Sequence, residues 1–469
     1  MTGYPSIGIR MNAPRLYQEP VSTDVLLDPA FPHREELLQF IWEQRLFDAR
    51  GLCTVDGEAV EVLRPGLIQR GSGPDLADAR VRIAGCLWAG AVEVHVRSSE
   101  WYAHGHAGDP AYAHVVLHVA YVHDADVRSA RGHRIPSVEL RGRIAPDRLQ
   151  RHQALMEGRA WVPCAPQLRQ VEPARIGLWL ERLSVERLER RSHAVLELHR
   201  SLGGDAQETF WHLLARAFGH KLNAEAFALL ARTLPLRVLR RHGDDALQRE
   251  ALLFGQAALL PDAPRDAHTR ALRIEHDHLS RLHGLRPMSI AAWRFGGLRP
   301  PNFPTVRLAQ LSAVLGRCGD GFGPLLDSDD PATALGTLSA APAAYWRDHL
   351  RFDHPAERGA RHMGPDASCG ILMNAVVPYL FAMGRLLGRP AWCDRAIGLL
   401  ERLPAETNAI TRGWKTLGVT ATTAARSQAL LELKNLYCAP RRCLSCVIGT
   451  CILKGGAATC HDRPHQNDL

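Results

Sequence analysis

The sequence predicts an α/β N-terminal domain joined to a large all-α C-terminal domain that ends in a cysteine-rich tail. Three observations carry this expectation. Between residues 59 and 140, short runs alternate apolar with charged residues, the period of half-buried strands. From about residue 172 the texture changes to long Leu/Ala/Arg stretches with helical spacing. The last stretch of chain then concentrates cysteine. A chain of 469 residues exceeds one ordinary core. The expected division is an arm over 1–33, the α/β domain over 34–150, the helical domain over 172–436 and the tail over 437–469.

The arm is rich in Pro and polar residues, as loosely held termini are. A helix follows over 35–47, where Leu37, Leu38, Ile41, Trp42 and Leu46 recur at helical spacing. Strands are expected at 59–63, 79–83, 91–96 and 114–122, with a weaker fifth at 135–140. A helical turn over 101–113 separates the third strand from the fourth. The order is therefore helix, three strands, helix, strand. Helices are expected at 174–199, 205–233, 245–260 and 268–284. After a Pro/Gly-rich break at 294–304, more follow at 305–316, 331–352, 370–387, 391–402 and 421–436.

The most chemically pointed stretch runs from Gly73-Pro74-Asp75 to Glu93-Val94-His95. In the second strand Val92, Val94 and Val96 share one face, and Glu93 and His95 share the other. A turn centred near Gly85 would place Asp75 roughly opposite His95. Two carboxylates and an imidazole at one end of a hairpin outline a metal-and-water site. Asp75 and Glu93 are the expected hard ligands for Mg²⁺ or Mn²⁺, and His95 the group that reaches an attacking water.

This arrangement resembles the PD-(D/E)XK nuclease superfamily over residues 34–123. Pro74-Asp75 stands for the first half-motif and Glu93-Val94-His95 for the second. The resemblance implies a metal-dependent nuclease. It also implies a further carboxylate from the first helix, for which Glu36 is the candidate. The departure is His95, where that superfamily has lysine, and no lysine precedes Lys221. Loss of activity with retention of the fold, leaving a nucleic-acid-binding or scaffold protein, is the alternative. A wider resemblance, carried by GPDLADARVRI, WAGAVEVHVRSSEWYAHGH, AYAHVVLHVAY, RPPNFPTVRLAQL and LYCAPRRCLSC, is to an uncharacterised bacterial family of unknown function.

Ser98, Ser99, Trp101, His104, His106 and Asp109 continue directly from Glu93-Val94-His95. His104-x-His106 with His95 or Asp109 is a zinc-type ligand set, so a zinc-dependent hydrolase is a second alternative. His114 and His118 lie on an expected strand among valines and read as core residues, or as supports behind a ligand, and not as ligands themselves. The Pro-fixed segment from Trp293 to Arg307 offers Arg294, Arg299 and Arg307 for phosphates, with Trp293 and Phe303 beside them. Trp101 is the nucleic-acid contact expected in the first domain. The plainer reading of the Trp293–Arg307 segment is a packing loop whose arginines pair with buried carboxylates.

In the tail, Cys438-x4-Cys443-x2-Cys446-x4-Cys451 has a metal-site spacing for zinc or an iron–sulfur cluster, with Cys460-His461 beyond. Arg441 and Arg442 should favour thiolate there. The PD-(D/E)XK resemblance, in which some members carry a cluster whose cysteines bracket the nuclease core, implies an upstream ligand such as Cys369, and Cys451 could instead be a small core residue of a helix. A net charge of +8 suits a polyanionic partner such as nucleic acid. Residues 1–33 lack the pattern of a signal peptide, and the longest apolar run, 370–384, contains Asn374 and Pro378. A cytoplasmic protein with reduced thiols and no membrane span is expected.

Overall fold

The computed structural model describes residue 28 and residues 30–69, 71–357, 359 and 362–455. Most of the expected arm, and Cys460-His461, lie outside these residues. The chain divides into two compact units. Unit one is Met1–Gly158 with Gly449–Leu469, and unit two is Arg159–Ile448.

Unit one is built on a mixed sheet. Helix α1 (Glu35–Glu43) is followed by β1 (Val60–Arg64), β2 (Leu67–Ile68), β3 (Leu76–Ile83) and β4 (Cys86–Arg97). A short crossover contains α2 (Glu100–Ala103) and leads to β5 (Val115–Val122), then β6 (Ser137–Glu139) and α3 (Pro146–Glu157). The strand order is β1-β3-β4-β5-β6, with β2 also on β3. β3 pairs antiparallel with β1, β2 and β4, whereas β5 runs parallel to β4 and β6 parallel to β5. The expected order of elements thus appears, with β2 added as a two-residue strand too short to leave a periodic signal.

Helix α1 stops at Glu43, four residues before the expected end. Arg45 adopts a left-handed φ of 52°, and the chain folds back so that Phe47 stacks on Trp42 at 5.1 Å. The apolar spacing continued because the turn buries its residues against the helix it leaves. β3 and β4 are joined by Ala84-Gly85, with φ of 46° and 84°, between the paired residues Ile83 and Cys86. Two successive positive φ values are the requirement of the tight hairpin turn.

Unit two is helical. Its first helices are α4 (Pro173–Ser201), α5 (Ala206–Phe218), α6 (His220–Thr233), α7 (Leu236–Arg241), α8 (Ala246–Gln256) and α9 (Ala267–His283). After the Pro-rich segment come α10 (Pro304–Cys318), α11 (Gly323–Leu326), α12 (Pro331–Leu338), α13 (Pro365–Ile371) and α14 (Val377–Leu386). The last are α15 (Pro390–Arg402), α16 (Ala409–Thr416), α17 (Ala424–Glu432) and α18 (Val447–Lys454), the last of which passes into unit one. A large apolar core anchored by Phe210, Trp211, Phe227, Phe254 and Trp346 holds unit two together.

Two expected helices are interrupted. The stretch 205–233 breaks at Gly219, and 331–352 ends at Leu338 because Pro342 blocks continuation. The remainder of the latter forms a 3-10 turn and the two-stranded pairing of β7 (His349–Arg351) with β8 (His354–Pro355). The apolar run expected at 370–387 is longer than its sequence suggested, being helical over Pro365–Leu386 with a π-turn at Leu372–Val376. Among the described residues it is the one helix long and apolar enough to cross a membrane. Its apolar window is 83% buried inside the protein, as a core helix is.

Candidate metal centre

β4 changes partners along its length. Its first half pairs with β3, and from Ala91 onward it also pairs with β5, so both of its hydrogen-bonding edges become occupied. Val92, Val94 and Val96 fill one side, and Glu93 and His95, only 4% and 1% exposed, fill the other. A strand that buries a carboxylate and an imidazole on one face must supply partners for them.

A shift in the β3–β4 pairing between Leu76 and Ala79, where Asp78 has a φ of 56°, corrects the expected register. Asp75 faces Glu93 and Val94, not His95. The Asp75 N–H donates to Glu93 Oε2 at 2.9 Å, and the Val94 N–H donates to Asp75 Oδ2 at 3.1 Å. The two carboxylates are thus bonded into the backbone of each other's strand.

The crossover contributes the rest. His104 Nδ1 lies 3.3 Å from His95 Nε2, and His106 Nε2 lies 3.3 Å from Glu93 Oε1. His95, His104 and His106 each offer a ring nitrogen within 4.8 Å of the others, an arrangement that can hold a metal ion. Tyr112 stacks on His106 at 3.9 Å and its hydroxyl donates to the Gly73 carbonyl, tying the crossover to the start of β3. His118, fully buried on β5, places Nε2 2.9 Å from His95 Nδ1 and has no partner for its own Nδ1. With the proton on His95 Nδ1 donated to His118, His95 Nε2 presents a lone pair to the site. A second imidazole that fixes the tautomer of a ligand is the usual way such rings are oriented.

Helix α1 supplies a carboxylate, but from a neighbouring position to the one expected. Glu36 is exposed, whereas Glu35 is partly buried and on the same face as Gln39 one turn on. Burial pushes the Glu35 carboxyl up to about 8, with Asp75, Glu100 and Glu36 adding repulsion. Glu93 is likewise raised to about 8 by burial and by Asp75 and Glu35. Asp75 is raised to about 6 by burial, against the lowering effect of its Val94 and Gln39 hydrogen bonds and of His104. Burial and neighbouring imidazoles push His95 far below its ordinary value and His118 down to about 3. The site therefore gathers carboxyls that resist ionising and imidazoles that stay neutral. A cation would reverse the first tendency and use the second.

The other expected contacts fall differently. Trp101 is fully buried, with Nε1 donating to the Arg128 carbonyl and its ring against His106, Tyr112 and His118. It walls the histidines and offers no face to a base. Asp109 accepts from the Ala111 N–H and caps a 3-10 turn. Ser98 and Ser99 bond to Asp124 and lock the end of β4 to the segment after β5. His114 is exposed.

In unit two, Trp293 is buried, with Nε1 donating to the Ala257 carbonyl, and Phe303 packs edge-on to Phe295 under Arg351. Arg294 and Arg299 are exposed, and Arg307 is buried with no carboxylate partner among the described residues. The tail cysteines Cys438, Cys443 and Cys446 are buried, and their charges act on one another and on Cys164. The upstream thiol beside them is thus Cys164; Cys369 sits on α13. Lys434 holds the two segments together, donating to the Trp161 carbonyl and lying over its ring. Burial raises Cys164 and Cys443 to about 12, and Arg441 lowers Cys443 by less, so the expected thiolate bias does not hold. Cys451 is buried on α18, in the part of that helix belonging to unit one.

The family model for a protein of unknown function, DUF2851, matches residues 35–409. The chain belongs to the DUF2851 family. This agrees with the resemblance to an uncharacterised family noted in the sequence. The match spans α1, the whole mixed sheet and the helices through the start of α16, so DUF2851 covers both the metal-type cluster and most of unit two. No curated protein and no solved structure matches the chain.

Proposed function

We propose that unit one is a metal-dependent hydrolase acting on phosphodiester bonds of nucleic acid, as its resemblance to the PD-(D/E)XK superfamily implies. The observation that carries this reading is the convergence of Glu35, Asp75 and Glu93 with His95, His104 and His106 where β4 passes from an antiparallel to a parallel neighbour. A helix, an antiparallel run of strands and a crossover to a parallel strand are the order that superfamily uses. Asp75, just before β3, and Glu93, on β4, are the residues that would supply its two half-motifs, and their closeness supports the reading.

Asp75, Glu93, His104 and His106 would hold a divalent ion, with His95 beside them. Mixed carboxylate and imidazole donors fit Mn²⁺ better than Mg²⁺. The chemistry such an ion supplies is Lewis-acid polarisation of the phosphate. His95, kept neutral by burial and oriented by His118, is a weak base and serves to position water instead of deprotonating it. The histidine triad favours zinc as the second reading, a hydrolase that uses His95, His104 and His106 as its ligands.

Purified protein with Mn²⁺ or Zn²⁺ and labelled DNA or RNA, beside Asp75→Ala and Glu93→Ala, tests the proposal. Cleavage abolished by both substitutions supports it, and cleavage that survives both sinks it. Salt-sensitive binding without cleavage in any metal assigns unit one to a nucleic-acid-binding protein with a degenerate site.

The thiols of unit two carry a separate proposal of a structural metal site. Cys164, Cys438, Cys443 and Cys446 would hold zinc or an iron–sulfur cluster, since buried thiols that repel one another as anions are relieved by a cation. Elemental analysis and the visible spectrum of the purified protein distinguish the two metals.

A further inference from the structure

A cavity of about 1100 Å³ in unit two, lined by none of the residues of the metal-type cluster, carries an inference of its own. Its wall is unusually cationic for an interior surface. Arg191, Arg216, Lys221 and Arg307 line it against two carboxylates, Asp366 and Glu406. Arg216 is already paired with Glu225, and Glu406 accepts from the Gln428 amide.

Arg307 is the decisive residue. It is 7% exposed, and it donates only to neutral oxygens, Gln310 Oε1 at 2.9 Å and Asn302 Oδ1 at 2.6 Å. Its Nε has no partner among the described residues. A buried guanidinium with no anion beside it and an unused N–H costs several kcal/mol unless something outside the chain compensates it, roughly the range for uncompensated buried ions. Opening onto a cavity, it is placed to receive an anion.

The neighbouring backbone points the same way. The amino ends of α6 and α10 both border the cavity, the first through Lys221 and the second through Pro304. Helix amino ends carry partial positive charge and unsatisfied N–H groups. Across from them, Pro378 lacks the N–H that an α-helix would offer to the carbonyls one turn back. The Arg191 guanidinium donates to Met373 O and Asn374 O there, at 3.2 and 3.1 Å. This fixes Arg191 at the π-turn in the cavity wall. Phe218, Phe227 and Met373 give the remaining wall an apolar character.

We propose that this cavity binds a phosphorylated organic ligand of nucleotide size, with Arg307 as the principal phosphate contact, Lys221 and Arg191 beside it, and the aromatic wall against the organic part. Volume, cationic polar contacts and an apolar wall are the combination that ligand sites show. Two N–H groups in the fork geometry of a guanidinium match phosphate oxygens. The proposal does not depend on the hydrolase reading of unit one.

Isothermal titration of the full chain with ADP and with pyrophosphate tests it. Both should bind, ADP more tightly, and Arg307→Gln should weaken ADP by at least roughly tenfold. Lys221→Ala, at an exposed position where truncation does not disturb the core, should weaken it severalfold and serves if Arg307→Gln does not fold. Arg281→Gln, exposed and outside the cavity wall, should leave affinity unchanged. Absence of ADP binding at millimolar concentration, or ADP binding indifferent to both Arg307→Gln and Lys221→Ala, overturns the proposal. A single-stranded oligonucleotide that binds through Arg307 when ADP does not would also overturn it, in favour of nucleic acid.

Discussion

Replacing Glu93 by Gln should stabilise the metal-free protein at alkaline pH and flatten its dependence on pH. The folded state raises the Glu93 carboxyl from an ordinary 4.5 to about 8. A group raised in this way contributes stability below its unfolded value and loses it as pH rises through its folded value. The window therefore runs from about pH 4.5 to pH 8. Taken alone, that shift corresponds to a loss of about 3–4 kcal/mol between about pH 5 and pH 8. Glu35 and Asp75 share the same repulsion, so a single substitution should recover on the order of 2 kcal/mol. Gln keeps an oxygen to accept the Asp75 N–H, so the geometry of the hairpin is preserved. The assay is urea unfolding across this pH range in the presence of a chelator, for wild type and Glu93→Gln. Adding Mn²⁺ should flatten the wild-type curve as well, because the ion favours the ionised carboxylates. Identical pH dependence in the two chelated proteins would refute the reasoning, since it would mean that Glu93 is not held protonated by its surroundings.

Three further experiments probe the remaining architecture. Glu432, 2% exposed, pairs with both Arg187 and Arg190, so Glu432→Ala should cost about 1–3 kcal/mol in urea unfolding, because the partly buried Arg187 loses its carboxylate while the half-exposed Arg190 stays hydrated. His118→Ala removes the ring that orients His95 and should lower Mn²⁺ or Zn²⁺ affinity about 10–100-fold by equilibrium dialysis, leaving the far-ultraviolet dichroism unchanged. Cys164→Ser should reduce metal bound in unit two as much as Cys443→Ser does, whereas Cys369→Ser should not, as read by elemental analysis.

The mixed sheet was largely legible because its strands alternate cleanly and its turns are marked by Gly and charged residues. The buried Glu93 and His95 could be singled out because they share a face of a strand whose other face is all valine. Glu35 was not, since the i, i+4 relation that joins it to Gln39 does not say which side of α1 meets β4. The misplaced register of Asp75 came from an irregularity at Asp78, a left-handed residue that no periodicity announces. Cys164 lies far from Cys438 along the chain, and tertiary contacts such as Lys434–Trp161, which bring the two segments together, leave no local signal in the sequence. Arg307 was legible as a candidate for phosphate. Its lack of a carboxylate partner was not, because pairing is decided by neighbours contributed from Asn302 and Gln310.

The final described stretch of chain belongs to unit one, where Arg151 on α3 reaches the Ile452 carbonyl. On the ribosome this separates the beginning of that unit from its completion by the whole of unit two. At about 5–20 residues per second the interval is tens of seconds. During it the nascent sheet and its histidines stand ready while α3 still waits for its partner. Unit two, contiguous in the chain, is under no such delay. The first domain to be synthesised is thus the last to be finished, and a chain stopped early would release unit one without its closing strap.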